Sequence, residues 1–445
     1  MQPMNNSSKP LKATSSLQEW LSYLEHSHTK AIDLGLERVA AVAQALDLLT
    51  PAPFVITVGG TNGKGTTCRL LETLLLNAGY RVGVYSSPHL LRYNERVLIQ
   101  NCELDDDAHC RAFAFIERHK TQSLTYFEFS TLAALYLFKQ AKLDAVILEV
   151  GLGGRLDATN VVDSDIALIT SVDIDHTDFL GSTREQIGFE KAGIFRAGKP
   201  VVIGEPDIPA SMLEQAHKLG CPLACRDQDW RFTLQGETWD WQNEKVRWEN
   251  LPFAQIPLAN AATALAAIQY LPFVITLQHI RQALQQVALT GRFQTLSVEK
   301  RTALGRCLGK PVERLPRVII DVGHNPHAAR YLAEKLTALK GQNDGKIIAV
   351  CGILKDKDAV GVLTPLLPLI DYWYCVGLDG ERGQSGEALF ATLQQTAGLV
   401  HQSAAGESAN NVAQGVQRAL ANAQENDLVL IFGSFHTVAD FLAML

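Results

Sequence analysis

The segment Val55-Ile-Thr-Val-Gly-Gly-Thr-Asn-Gly-Lys-Gly-Thr-Thr67 constrains the fold more than any other part of the chain. A β-branched run ends in a glycine-rich turn holding one lysine, and a helical pattern follows over 66–77. Strand, turn and helix in that order present consecutive backbone N–H groups at a helix N-terminus. There they wrap a phosphate, while Lys64 reaches the outer phosphates. The spacing departs from the standard phosphate loop. Val58 stands where the first glycine falls, and Gly65 follows the lysine in place of Ser or Thr. Thr66 and Thr67 remain available to supply the hydroxyl.

Apolar runs of strand length alternate with helical patterns through most of the chain. In the first part the strand candidates are 54–58, 81–85, 145–150, 166–172 and 200–203, with helix candidates at 66–77, 127–139 and 184–195 between them. These strands are apolar throughout and not at every second position, the pattern of a parallel sheet covered on both faces. Such sheets place their sites beyond the carboxyl ends of the strands. From Asp227 to Asn250 the texture changes: Trp230, Trp239, Trp241 and Trp248 stand among alternating polar residues, which predicts a small antiparallel ribbon. An alanine-rich helical pattern over 260–270 follows, and Thr290-Gly-Arg-Phe293 ends this part.

Residues 298–317 are basic and irregular, with Lys300, Arg301, Arg306, Lys310, Arg314 and Arg317. They read as a solvated linker or surface hairpin. Strand–helix alternation then restarts, with strand candidates at 318–322, 347–351, 372–376 and 428–432. A chain of 445 residues exceeds what one hydrophobic core usually serves. The expected architecture is therefore α/β in two domains: a phosphate-loop parallel-sheet domain over 1–295 and a smaller Rossmann-like domain over 296–445.

Composition excludes more than it assigns. Hydrophobic content of 47% with 20% charged residues is that of an ordinary soluble globular chain. A net charge of −7 argues against a general nucleic-acid or membrane-surface binder, so an anionic substrate has to be held by local positive groups. The cysteines (Cys68, Cys102, Cys110, Cys221, Cys225, Cys307, Cys351, Cys375) show no zinc or redox spacing and read as reduced thiols. Met1–Ser16 is polar and lacks the apolar centre of a signal peptide. No apolar run approaches the roughly 18 residues that span a bilayer. The expected location is the cytoplasm.

Four further motifs follow strand candidates. Glu149 ends one of them and precedes Gly151, Gly153 and Gly154. A carboxylate buried there needs a partner, and magnesium beside nucleotide phosphates takes one or two carboxylates together with phosphate oxygens and water. Ser171-Val-Asp-Ile-Asp-His-Thr-Asp178 gathers Asp173, Asp175, His176 and Asp178, with His176 a candidate metal ligand whose tautomer a neighbouring carboxylate would fix. Ser87, in Ser86-Ser-Pro-His89, offers a hydroxyl to the same region. Asp321-Val-Gly-His-Asn-Pro-His327 opens the second domain. Asp321 is placed to accept from a ribose hydroxyl, and Asn325 before Pro326 reads as a helix N-cap.

Taken together these motifs resemble the folylpolyglutamate synthase and dihydrofolate synthase family, within the wider Mur-ligase superfamily. The resemblance runs from Trp20 to Thr437. Its carriers are Gly60-Thr-Asn-Gly-Lys-Gly-Thr66, Tyr85-Ser-Ser-Pro-His-Leu90, Leu124-Thr-Tyr-Phe-Glu128, Glu149-Val-Gly-Leu-Gly-Gly-Arg-Leu-Asp-Ala-Thr-Asn160, Asp175-His-Thr177, Glu190-Lys-Ala-Gly193, Asn260-Ala-Ala262, Gly291-Arg-Phe293, Asp321–His327 and Gly433-Ser-Phe-His436. It implies an ATP-dependent ligase, similar to the bacterial bifunctional members. Such an enzyme joins L-glutamate to dihydropteroate and to reduced folates through an acyl phosphate.

By motif, the resemblance assigns Thr61, Asn62, Gly63, Lys64, Gly65 and Thr66 to the ATP phosphates. Asn260, Arg292 and Asp321 become nucleotide contacts. Ser87 and Glu149 would hold one magnesium ion and His176 a second. Lys191 matches a lysine that is carbamylated in the family, so Lys64, Lys191 and His176 form the expected catalytic set. Thr125, Tyr126, Phe127 and Glu128, with Leu156, Asp157 and Ala158, match the pterin-side pocket. A monomer is implied as well.

Against the resemblance, the basic stretch 300–317 is longer than the family's usual connection and reads as an inert surface insertion, with the holding of an anionic polyglutamate tail as the alternative. Other readings of the whole chain are a monofunctional folylpolyglutamate synthase, a cell-wall Mur ligase, and a phosphate-loop switch. The last is disfavoured because no Asn-Lys-x-Asp guanine-reading segment is present.

Overall fold

A computed structural model describes residues 11–341 and 344–445. The polar stretch Met1–Ser16 therefore lies largely outside the described residues. The chain divides into two compact units, Met1–Ala288 and Leu289–Leu445.

The first unit is built on an eight-stranded sheet. Its strands are β1 (Val55–Gly59), β2 (Val82–Tyr85), β3 (Val97–Ile99), β4 (Cys102–Glu103), β5 (Ala145–Glu149), β6 (Ile166–Ile169), β7 (Val201–Ile203) and β8 (Leu223–Cys225). Their order is β4-β3-β2-β5-β1-β6-β7-β8, parallel except for the antiparallel pairs that β3 makes with β2 and β4. β1 thus runs at the centre, with Val58 opposite Glu149 of β5 and Gly59 opposite Ile169 of β6. Tyr85 of β2 lies opposite Leu148. That register brings the carboxyl ends of four strands to one edge.

The central strands are apolar at successive positions because both faces are covered. Ala145 and Ile147 pack with the helix Lys64–Asn77 and the alanine-rich helix Leu258–Ala267. Val146 and Leu148 pack on the other side with Phe129, Leu132 and Phe113 of the helices Tyr126–Ala141 and Asp106–His119. One expected strand is shorter than its apolar run: β6 stops at Ile169, not at Val172. Thr170 and Ser171 turn their hydroxyls to the glycine-rich loop, and those bonds replace the ladder.

The tryptophan-rich segment forms the expected antiparallel ribbon, of β9 (Trp230–Gln235), β10 (Thr238–Asn243) and β11 (Arg247–Pro252). Trp230, Trp239 and Trp241 are buried, and the Trp241 indole N–H donates to the Ala262 carbonyl at 3.1 Å. Alanines along the helix Leu258–Ala267 leave room for these rings.

The second unit carries β12 (Gln294–Thr295), β13 (Arg317–Asp321), β14 (Ile347–Cys351), β15 (Tyr372–Val376), β16 (Gly406–Ala409) and β17 (Leu428–Phe432). Their order is β12-β13-β17-β14-β15-β16, parallel except at β12. Asn325 caps the helix Pro326–Lys340, its side chain accepting from the Ala328 N–H at 3.0 Å, as its place before Pro326 suggested.

The basic stretch 298–317 corrects the sequence reading. It is not an irregular linker but a helix, Val298–Leu308, capped by Ser297, followed by a turn of 3₁₀ helix at Val312–Arg314. Leu304 and Leu315 anchor it, both buried. Arg301 donates to the carbonyls of Val312 and Leu315, and Lys310 to that of Leu420. Two buried leucines in a basic background outweigh the charge pattern, and two of the cations close turns of the backbone. Among the described residues no helix is long and apolar enough to cross a membrane.

Candidate active site

At the carboxyl end of β1 the chain turns through Gly60 to Gly63 into the helix Lys64–Asn77, with Gly63 as its N-cap in the left-handed region at φ 87°. Neighbouring strands fix the turn. The Thr61 N–H donates to the Ser171 carbonyl at 2.8 Å, and the Asn62 N–H to Ser171 Oγ at 3.0 Å. Thr170 Oγ1 donates to the Asn62 carbonyl at 2.6 Å. A Cβ on Gly60 would stand 1.9 Å from Thr170 Oγ1, so this close approach admits only glycine.

Lys64 folds back over the loop, its Nζ donating to the carbonyls of Gly60 at 2.9 Å and Thr61 at 3.2 Å. The ammonium is thereby held at the mouth of a cradle of backbone N–H groups at a helix N-terminus, the arrangement that binds phosphate. Thr66 Oγ1 donates to the Gly63 carbonyl at 2.9 Å and accepts from Asn260 Nδ2 at 2.8 Å. Sequence separates Asn260 from the loop by almost 200 residues, yet its amide lies directly against Gly63.

A Cβ on Gly63 would fall 2.5 Å from Asn260 Oδ1, in a backbone conformation that costs an alanine about 1–2 kcal/mol. Gly63→Ala is expected to lower kcat/KM by about 100-fold, the scale of a displacement near 1 Å. The thermal midpoint should fall only a few degrees. Near-normal kinetics would mean that the loop tolerates the shift and does not set the geometry.

Along the same edge Glu149 closes β5, buried at 6% exposure, with the Ser87 N–H 3.3 Å from its Oε2. Ser87 follows β2. His176 lies beyond β6, exposed and at φ 54°, with Nε2 4.0 Å from Asp175 Oδ1. Among the described residues no three His, Cys, Asp or Glu side chains converge on one point. A carboxylate, a hydroxyl and an imidazole at a phosphate loop suit a hard divalent ion that completes its shell with phosphate and water. This donor set fits magnesium and is too sparse for a closed protein cage.

Lys191 sits in the helix Arg184–Ala192, buried at 3% exposure. No carboxylate comes within ion-pair distance of its Nζ among the described residues. Burial, first, and the Lys64 ammonium, second, push its pKa down to about 7, against the pull of Asp175 and Asp157. A lysine so placed is largely neutral just above neutrality, which makes it a nucleophile toward CO₂. The loop that starts at Gly151 packs on the end of this helix. The Arg155 N–H donates to the Glu190 carbonyl at 2.8 Å, and a Cβ on Gly154 would meet that carbonyl at 2.8 Å.

The residues matched to a pterin pocket are adjacent but differ in employment. Thr125 and Glu128 form the capping box of the helix Tyr126–Ala141, and Glu128 also takes Arg38 at 3.0 Å. Asp157 accepts from the Leu152 N–H, the Thr159 N–H and the Thr159 hydroxyl, while burial raises its pKa. These three polar side chains hold backbone. Tyr126, Phe127 and Leu156 are half-buried and Ala158 is buried. The Phe127 ring stands 5.9 Å from that of Tyr85 and crowds Gly151.

In the second unit Asp321 ends β13. Its Oδ2 accepts from the Phe293 N–H and its Oδ1 from the Gly323 N–H, both at 2.7 Å. Burial raises its pKa and the Arg292 guanidinium opposes that rise. Arg292 lies over the Phe435 ring at 5.1 Å. Sequence reasoning gave no role to Thr170 as a support of the loop. The available signal was a hydroxyl pair directly after an apolar strand.

Comparison with known proteins accords with this geometry. The Mur ligase middle domain matches residues 58–229, and the Mur ligase glutamate ligase domain matches 307–435. The dihydrofolate synthase/folylpolyglutamate synthase of Haemophilus influenzae is 66% identical over 441 residues, which cover 99% of this chain and 100% of that one. The chain belongs to the dihydrofolate synthase/folylpolyglutamate synthase family.

Solved structures of the dihydrofolate synthase/folylpolyglutamate synthase family extend the match to the fold. Escherichia coli FolC in complex with DHPP and ADP is 49% identical, with a TM-score of 0.89 over 97% of this chain and 98% of that one. A bifunctional folylpolyglutamate synthase/dihydrofolate synthase with Mn, AMPPNP and L-glutamate bound is 51% identical, with a TM-score of 0.86 over the same shares, 97% and 98%. The family's two-domain α/β architecture is the one described above.

Proposed function

We propose that this chain is an ATP-dependent ligase that adds L-glutamate to dihydropteroate, making dihydrofolate, and to reduced folates, extending their glutamate tail. The observation that carries the reading is the full-length identity of 66% to a bifunctional relative. The phosphate cradle with Lys64 held at its mouth supports it.

A carboxylate is a poor acyl donor, so ligation proceeds through phosphorylation of the acceptor carboxylate and attack of the glutamate amine on the acyl phosphate. Thr61 to Thr66 hold the phosphate chain by backbone N–H groups, and Lys64 offsets the charge on the transferring group. Asn260 fixes Thr66 and the turn at Gly63. Arg292 and Asp321 contact the nucleotide. Ser87 and Glu149 would hold one magnesium ion and His176 a second; a bound ion would supply Lewis-acid polarisation and offset phosphate charge. Lys191, buried in its helix, would as a carbamate present an anionic oxygen in place of a cation, suited to ligating such an ion. Thr125, Tyr126, Phe127 and Glu128, with Leu156, Asp157 and Ala158, form the pterin-side pocket, and Thr125, Glu128 and Asp157 also hold its backbone. The first unit binds the ATP phosphates and the pterin, the second serves the glutamate ligase step, and the enzyme works as a cytoplasmic monomer.

Isotope transfer tests this chemistry. Dihydropteroate labelled with ¹⁸O in its carboxylate is expected to pass one label to the inorganic phosphate released during ligation. Unlabelled phosphate, with the product amide formed, would exclude an acyl phosphate.

A further inference from the structure

Among the described residues Arg96 is a buried cation with no carboxylate at ion-pair distance. It closes a short 3₁₀ turn, Tyr93–Arg96, before β3, and only 9% of it is exposed. Its Nε donates to His89 Nδ1 at 2.8 Å. The guanidinium carbon lies 5.3 Å from the Tyr126 ring centre and 5.8 Å from that of Tyr93. No carboxylate forms an ion pair with it among the described residues, and its two terminal nitrogens make no hydrogen bond there. Contact with two aromatic faces offsets only part of the hydration that such a cation loses on burial. A guanidinium kept under those terms is built to take an anion in a planar, two-pronged contact.

Its position says which anion. On one side stands Tyr126, of the segment assigned to the pterin pocket. On the other stands the loop after β2: the Arg96 carbonyl accepts from the Ser86 N–H at 2.9 Å, and the next residue, Ser87, donates to Glu149. The guanidinium thus lies between the acceptor pocket and the metal edge, where the carboxylate end of an acceptor passes. Dihydropteroate carries a single carboxylate, which is the reacting one. A folate carries a second, the α-carboxylate of its terminal glutamate, which does not react and needs its own cation.

We propose that Arg96, oriented by His89, binds the non-reacting α-carboxylate of the folate acceptor and so determines specificity for tail extension. This rests on the ligase reading above. The test compares three acceptors in the wild-type enzyme and in Arg96→Met and Arg96→Lys: dihydropteroate, a reduced monoglutamyl folate, and its analogue with γ-aminobutyrate in place of glutamate. The analogue keeps the reacting γ-carboxylate and lacks the α-carboxylate.

For the wild type, KM for the analogue is expected to exceed that for the folate by about tenfold or more, the worth of a charge-assisted hydrogen-bonded pair. Arg96→Met should raise KM for the folate by at least that factor more than KM for dihydropteroate, with no further penalty for the analogue. Arg96→Lys should recover part of the loss. Equal losses on dihydropteroate and folate, or an effect on kcat alone, would overturn the assignment. So would wild-type enzyme that takes the analogue as well as the folate, a result independent of whether either variant folds. Wild-type enzyme inactive on every acceptor would instead refute the ligase reading.

Discussion

Lys64→Ala is expected to reduce ligation by about 10²–10³-fold or more in kcat, the scale of losing one preorganised charge at a phosphoryl-transfer site. The fold should survive. The side chain is only partly buried, and its two acceptors are carbonyls of the adjoining turn, those of Gly60 and Thr61. The thermal midpoint should therefore move by no more than a few degrees. A second effect follows from the neighbourhood. Lys64 is one of the two causes that depress the pKa of Lys191, so its removal should raise that pKa from about 7 and leave less of the neutral amine at neutral pH. Near-normal turnover of the variant would remove Lys64 from the phosphate site.

The second large effect is expected at Lys191 itself. Lys191→Ala should lower kcat by about 100-fold or more, and the deficit should deepen as magnesium becomes limiting, because loss of a metal-site group costs about 10–100-fold in metal affinity. A deficit independent of magnesium would count against the carbamate. At a fixed CO₂ pressure the ¹³C carbamate signal should climb as pH rises through about 7, where the buried amine loses its proton. A signal that appears only near pH 10 would show an unperturbed lysine.

Stability carries the same information in CO₂-free buffer. The folded pKa of about 7 lies below the ordinary value of 10.5. The unfolded chain therefore binds the extra proton between those limits, and stability contributed by this position rises with pH across that window. Lys191→Met should accordingly be more stable than the wild type, most clearly below pH 7, with the difference shrinking as pH approaches 10.5.

The sheets were legible where their strands are apolar at successive positions, so β1, β5, β13, β14, β15 and β17 fall within a residue or two of their apolar runs, while the short or polar β12 and β16 were not foreseen. The glycine-rich turn was legible for the same reason that it works: only glycine fits where Thr170 and Asn260 press on the backbone. Asn260 itself entered through resemblance, since nothing local marks an asparagine that reaches a loop almost 200 residues earlier. The helix Val298–Leu308 was misread because six basic residues masked the apolar anchors Leu304 and Leu315. Thr125, Glu128 and Asp157 show a different limit. A motif names them, but only coordinates reveal that each holds backbone, as a cap or a turn. Arg96 had no motif at all. Its lack of an ion-pair partner among the described residues exists only in three dimensions.

The most direct measurement is ADP release with ATP, magnesium and L-glutamate, adding dihydropteroate or a reduced folate in parallel reactions. Glutamate-dependent ADP release with each acceptor is expected. Release with the folate alone would contradict the dihydrofolate synthase half of the function, and no glutamate-dependent release with either acceptor would contradict the assignment as a whole.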